Sequence, residues 1–380
     1  MRIFASLGLT LVLLIAFTVV HAQPDDEAEV HIAPKLLVLK AGAKQHIEQL
    51  SGKTDLQGFS VEVPEKTLAL YVHVLGATTD IDLVLCDEKI RHIDELDDHV
   101  LVEAMTGRFD EVLTWTPDDG LEPGKYVLYA GALAAFLDEE VGFDILLSFN
   151  DKPEVEKPQV PFAALESLKP LQRAVAASVM LYTADGGGGT GTVVTPTGLI
   201  LTNYHVIEGE DGEPLEKVWV HFAPDARKLP VQACIATVAL KDKSLDLALL
   251  QVETDLDGNK IEKPGFVWLP LAASECELGD DLRCLGYPAI GGSVSLASIT
   301  LTRGVVSGFD EQEGDLRWYK SDCLLSEGNS GGTAINNTCE LAGIPTETLH
   351  DPNTMEALSY IRPIQALPKA WLERINKELK

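Results

Sequence analysis

One serine, Ser330, stands in the run LSEGNSGGTAI (Leu325 to Ile335), between Gly328-Asn329 and Gly331-Gly332. Glycine is the residue for backbone that takes unusual dihedrals or that a ligand approaches closely. Three of them around one hydroxyl suggest an exposed, shaped loop; a flexible polar loop is the plainer alternative. A serine hydroxyl is a weak nucleophile. To do chemistry it needs a base in hydrogen-bond reach, a group that orients the base, and donors for an oxyanion. Whether the glycines mark chemistry therefore turns on histidine and aspartate.

Three histidines precede or follow Ser330 in the C-terminal half: His205, His221 and His350. His205 sits in the run GTGTVVTPTGLILTNYHVIEG, just after two predicted strands joined by a Pro-Thr-Gly turn end in Thr202-Asn203-Tyr204, and a strand end is a rigid place for a base. His221 in VWVHFAP reads as an alternating strand residue, and His350 before Asp351-Pro352 as a loop residue. The acid candidate is Asp246 in KSLDLALLQVE. With Leu245, Leu247 and Leu249 around it, it is expected to be carried into apolar surroundings, where a carboxylate needs a partner. Its alternative is a turn residue at a strand start, and Asp242, beside Lys241 and Lys243, is the more easily solvated carboxylate. The order His205, Asp246, Ser330, at separations of 41 and 84 residues, is one of the three chain orders in which such a triad occurs.

The elements around these residues read as strands. Residues 36–149 alternate apolar and polar residues in FSVEVP, LALYVHVLG, DIDLVLC, EVLTW, GKYVLYAGAL and FDILLSF, broken by Gly, Pro and Asp turns. Period-two alternation of this kind predicts an antiparallel sandwich over 30–150. NDKPEVEKPQVP (Asn150 to Pro161) carries three prolines and reads as a stiff linker over 151–162. From 163 to 380 a short helix leads into AASVML. Strands with Gly-rich turns follow, and IQALPKAWLERINKELK closes the chain as an amphipathic helix interrupted early by Pro368. The fold class expected is all-β, a sandwich followed by a double β-barrel with a C-terminal helix.

The chain has 380 residues, 30 basic and 59 acidic, for a formal net charge of −29. Like charges repel, which argues against nucleic acid or an anionic membrane as partner. Met1-Arg2, the apolar run Ile3 to Val20 and Val20-His21-Ala22 before a charged stretch read as a secretory signal over 1–22. The protein is then exported, to a periplasm or the exterior, and meets a membrane only if that segment stays uncleaved. Six cysteines suit export. Cys323 and Cys339 bracket Ser330, and Cys276 and Cys284 lie close together, so these are the disulfide candidates. DLDGNK (Asp255 to Lys260) lacks the later ligands of a calcium loop and reads as a turn. No metal or other cofactor is expected.

Residues 165 to about 376 resemble the trypsin-like fold of chymotrypsin-type serine proteases, in its HtrA/Deg branch. The strings that carry the resemblance are GTGTVVTPTGLILTNYHVI, LDLALLQVE, LGYPAIGG, LTRGVVSG, SDCLLSEGNSGG, LAGIPTE and LSYIRPIQAL. It implies Ser330 as nucleophile, His205 as general base and then acid, Asp246 as its orienter, and the N–H groups of Gly328 and Ser330 as oxyanion hole. It implies polypeptide substrates, unfolded or extended, and, since relatives often form trimers, a homo-oligomer. Leu324 and Leu325, before the oxyanion loop, would line the substrate pocket and favour an apolar or small P1 residue. Asp322 resembles the family's own strand aspartate. Asn329 replaces the aspartate of digestive trypsins, so no zymogen cleavage is expected. The sequence to Lys380 leaves no room for the usual PDZ domain, and Thr333 stands where proline is common. The N-terminal segment is similar to the bacterial pre-peptidase C-terminal domain through FSVEVPE, DIDLVL and LEPGKYVLYA. In such a domain Asp80 and Asp82 could contact calcium, against the plainer reading of turn and strand-edge residues. A catalytically silent binding protein on a protease fold, with the sandwich as recognition module, is the alternative function.

Overall fold

The computed structural model describes residues 36–379 apart from 48–55, 78–80, 91–98, 105–110, 133–141, 154–166, 184–186, 210, 224–225, 229, 262–264, 289–297, 313–314 and 351–356. The signal segment over 1–22, most of the linker and Asp80 lie outside the described residues. The chain divides into two compact units, Met1–Glu156 and Lys157–Lys380.

The first unit holds β1 (Leu37–Val38), β2 (Lys44–Ile47), β3 (Leu56–Val63), β4 (Leu70–Leu75), β5 (Ile81–Asp87), β6 (Val100–Ala104), β7 (Val112–Trp115), β8 (Gly124–Ala132) and β9 (Phe143–Phe149). They form two sheets, ordered β1-β3-β8-β5-β6 and β2-β9-β4-β7. Alternation along β3 buries Phe59, Val61 and Val63, which join Leu83 and Leu128 of their own sheet and Val72, Leu113 and Ile145 of the other in one core. Complete burial of each such side chain contributes roughly 1.5–3 kcal/mol. One pairing departs from the antiparallel expectation: β1 runs parallel to β3, with Leu37 opposite Phe59. The chain visits the other sheet as β2 between them, and that detour supplies the crossover a parallel pair requires.

The second unit begins with α1 (Pro170–Ala177), whose proline sits where no N–H is needed. Six strands then close a first barrel: β10 (Ser178–Thr183), β11 (Gly188–Val193), β12 (Leu199–Thr202), β13 (Val218–Phe222), β14 (Val231–Asp242) and β15 (Leu247–Asp255). Six more close a second: β16 (Asp281–Gly286), β17 (Thr300–Gln312), β18 (Asp315–Ser321), β19 (Thr333–Ile335), β20 (Leu341–His350) and β21 (Ala357–Pro363). Closure leaves no free sheet edge. A core of Leu181, Leu201, Leu249 and Phe266 from the first barrel region continues through Leu285, Ile335 and Ile344 of the second.

Pro368 does not interrupt the closing helix. It is the cap that precedes α2 (Lys369–Glu378), after a 3-10 turn over Ile364–Ala366. Proline is tolerated there because the first N–H groups of a helix have no partner within it. Trp371 and Ile375, one turn apart, bury the helix against the first-barrel core.

Candidate active site

Register in the first barrel brings two of the expected residues together. Thr202, the last residue of β12, pairs with Ala248 of β15. His205 lies three residues beyond that strand end, and Asp246 lies one residue before β15 begins. Asp246 Oδ2 is 2.7 Å from His205 Nδ1, and Asp246 Oδ1 accepts the His205 main-chain N–H at 3.0 Å. Both carboxylate oxygens are thus spent on one histidine, fixing its position and its ring. Asp246 is not carried into apolar surroundings as the flanking leucines suggested; its side chain keeps 27% exposure. It closes the turn from Lys243 with a φ of +52°, and the leucines after it belong to the strand. The turn is organised by Asp242, whose Oδ1 accepts from the N–H groups of Ser244 and Leu245 and from the Ser244 hydroxyl.

The glycines at Ser330 resolve into two successive turns. Asn329 N–H donates to Ser326 O across a turn with Gly328 third, at φ +88°, and Gly332 N–H donates to Asn329 O across a turn with Gly331 third, at φ +78°. A positive φ at the third position is the type II pattern, which selects glycine there. Ser330 is the second residue of the later turn. Among the described residues, neither the Gly328 nor the Ser330 N–H donates to a protein acceptor. These two donors are what an oxyanion hole requires.

The first barrel holds this loop from behind through Thr190, a residue the sequence reading passed over. Its N–H donates to Ser330 O at 2.9 Å, and its hydroxyl donates to Gly328 O at 2.7 Å while accepting the Tyr287 N–H at 3.0 Å. Asn203 reaches Gly331 from the same side at 2.6 Å. The Ser330 hydroxyl itself donates to Thr346 O on β20 at 3.2 Å rather than to His205. Catalytic hydrogen bonds are often long or misaligned without substrate and tighten in the complex.

Of the pocket candidates, Leu325 is buried in the second-barrel core and Leu324 is 65% exposed. Asp322 points away from them, accepting the Val305 N–H at 2.7 Å. Asn329 stays within its own turn, its amide 3.4 Å from Ser326 Oγ. Thr333 gains a meaning that its sequence position lacked. Its hydroxyl lies 2.6 Å from both Ser178 and Thr192, and Ser178 donates to Ala174 O, so a fully buried chain of three hydroxyls links the barrels.

The remaining histidine and the cysteines stand apart. His221 is fully buried on β13, and burial pushes its imidazole down to about 3, so it stays neutral. The His350 side chain lies outside the described residues. Cys276, Cys284, Cys323 and Cys339 are free thiols. Cys323 hydrogen-bonds Cys284 inside the second barrel, whereas Cys339 accepts from Arg283 at 3.4 Å, because successive residues of β16 face opposite sides. The neighbours in space are therefore not the neighbours in sequence.

The family model of the trypsin-like peptidase domain matches residues 189–344, which contain His205, Asp246 and Ser330. A probable periplasmic serine endoprotease, DegP-like, from Rickettsia prowazekii is 27% identical over 198 residues, 50% of this chain and 34% of its own length. Residues 189–344 are thus similar to trypsin-like peptidase domains, and a DegP-like protease is among the relatives. Mouse serine protease HTRA4 is similar to the chain as well, at 30% identity over 42% of the chain and 29% of its own length. The crystal structure of the serine endoprotease from Yersinia pestis is 25% identical, with a TM-score of 0.41 over 59% of this chain and 69% of that one. The chain spans about a third of the length of the curated relatives it matches.

Proposed function

We propose that this chain is an exported serine endopeptidase that hydrolyses peptide bonds through an acyl-enzyme, in protein quality control or processing. The observation that carries this reading is the His205–Asp246 pair beside a doubly turned Ser330 with two uncommitted N–H groups. In the reaction His205 takes the Ser330 proton as the hydroxyl attacks the peptide carbonyl. Gly328 and Ser330 N–H receive the oxyanion, and His205 returns the proton to the leaving amine. Water then repeats the sequence on the acyl-enzyme. Asp246 holds the imidazole in one tautomer and stabilises the imidazolium. Leu324 and Leu325, apolar residues just before the oxyanion loop, with Asp322 committed to the Val305 N–H, favour a small or apolar P1 residue.

A periplasmic relative and the apolar residues 3–20 support export. The first unit, read as similar to a pre-peptidase C-terminal domain, would serve as a recognition module for substrate or surface. The silent alternative draws on one observation, the Ser330 hydroxyl turned to Thr346. A fluorophosphonate probe decides between the two. Covalent labelling of the wild type and none of Ser330→Ala is the expected result, together with casein fragments ending in small or apolar residues. No adduct on the wild type refutes the endopeptidase.

A further inference from the structure

Asn203 is fully buried, and its one amide touches three segments that the reaction uses. Oδ1 accepts the Gly331 N–H at 2.6 Å, from the residue after the nucleophile. Nδ2 donates one hydrogen to Asp246 O at 2.8 Å and the other to Thr346 Oγ1 at 3.1 Å. The partners lie 43, 128 and 143 residues away in the chain. The orientation of the amide is forced by chemistry. An N–H can only donate and a carbonyl can only accept, so exchanging Oδ1 and Nδ2 would set like against like at both ends.

We infer that Asn203 is a positioning residue for catalysis, one amide that holds the orienting acid, the turn after the nucleophile and the strand facing the nucleophile in register. The inference rests on the endopeptidase reading of Ser330. Each partner has one geometric problem that the amide addresses. Asp246 sits at a φ of +52°, which a non-glycine residue holds only when its surroundings over-determine it, and the amide anchors its carbonyl. Gly331 sets the second type II turn, and its N–H is shared between Pro345 O at 2.9 Å and Asn203. Thr346 presents to Ser330 the carbonyl that its hydroxyl contacts, and its own hydroxyl, donating to Ile344 O, takes the last amide hydrogen. A buried asparagine that merely filled a polar gap in one loop would not draw on both barrels. Asn203 lies between β12 and His205 in the first and reaches β20 and the β18–β19 connection of the second.

The test compares wild type, Asn203→Ala and Asn203→Asp as full chains. Asn203→Asp keeps the shape and an acceptor for Gly331 but replaces both donors. Three quantities are read: the rate of fluorophosphonate labelling, kcat and KM on a peptide cut from casein, and binding of that peptide on a Ser330→Ala background. A misplacement of about 1 Å costs roughly 100-fold in rate. Labelling and kcat should fall by that order in both variants, while KM, peptide binding and the circular dichroism spectrum stay at wild-type values. Wild-type labelling rates in either folded variant overturn the role, as does a rise in KM at constant kcat, which would mean ordinary substrate binding. If Asn203→Ala does not fold, Thr346→Val carries the test. It removes one amide partner, leaves the Thr346 carbonyl in place, and should slow labelling several-fold at unchanged KM; an unchanged rate overturns the inference. Failure of the endopeptidase reading is separately visible, because the wild type itself would then not label, and the role of Asn203 falls with it.

Discussion

Alanine at Gly331 provides a sharp test of how the nucleophile turn is built, because a second glycine supplies the control. Gly331 has φ +78°, and a Cβ there would lie far inside contact distance of Thr190 O and Thr202 Oγ1 and 3.0 Å from Asn203 N. Gly258, in the turn from Asp255, has φ +81° but nothing within 4 Å of the same atom. Left-handed backbone costs an L-residue about 1–2 kcal/mol. Gly258→Ala should lose that amount and no more. Gly331→Ala should lose it and, in addition, the ~1–3 kcal/mol of forcing atoms into a packed site. The entropy that alanine removes from the unfolded chain is common to both and cancels in the comparison. For a unit of this size each kcal/mol moves the melting temperature by about 2–4 °C. Differential scanning calorimetry of the two variants gives the stability gap, and casein turnover gives the functional one. Gly258→Ala should cleave at the wild-type rate and Gly331→Ala should lose most turnover. Equal melting shifts in the two variants would refute the steric half of this reasoning. Full activity in Gly331→Ala would refute the claim that Thr190 and Asn203 fix the loop.

Three further outcomes are expected. Asp246→Asn can accept from His205 with one atom where two now do, and its amide would select the wrong imidazole tautomer. Turnover should drop on the order of 10⁴-fold with KM nearly constant, and a loss under tenfold would deny Asp246 its orienting role. Thr333→Val breaks the buried hydroxyl chain at its centre and leaves Thr192 without its threonine partner; urea denaturation should register a loss of about 1–3 kcal/mol, and an unchanged midpoint would mean the chain contributes nothing. Burial, with like charge from Glu111 and Glu103, pushes the Asp82 carboxyl up to about 7, against about 3.9 in an unfolded chain. Between those values the folded state binds the extra proton, so this group lowers stability as pH rises from 4 to 7 and the penalty is complete above 7. Asp82→Asn should therefore raise the melting temperature of the first unit at pH 8 and leave it unaltered at pH 4; the reverse dependence would contradict the assignment.

The residues that announced themselves in the sequence were those at strand ends and in glycine turns. His205 was legible because a strand ends just before it, and Ser330 because glycine, which takes a positive φ most readily, stands on either side of it. The leucines around Asp246 misled about its environment: they report the burial of β15, which begins one residue later. Asn203, Thr190 and Thr346 were illegible for a different reason. Asparagine just past a strand end and threonine within a strand are common there, and what distinguishes these three is hydrogen bonding across 128, 138 and 143 residues of chain, which no local pattern encodes. The same holds for Cys284 and Cys323, which meet through barrel closure. The parallel β1–β3 pair escaped notice because a two-residue strand carries no period.

Thr190 and Asn203 belong to one barrel and grip a loop that belongs to the other. Neither half alone can assemble the nucleophile's surroundings, and a nascent chain with only its earlier barrel complete has no working centre. On the endopeptidase reading, hydrolytic competence therefore requires both halves to have docked. The appearance of probe-reactive Ser330 in a refolding experiment would time the docking of the two barrels, an event that fluorescence or dichroism would blend with the formation of each one.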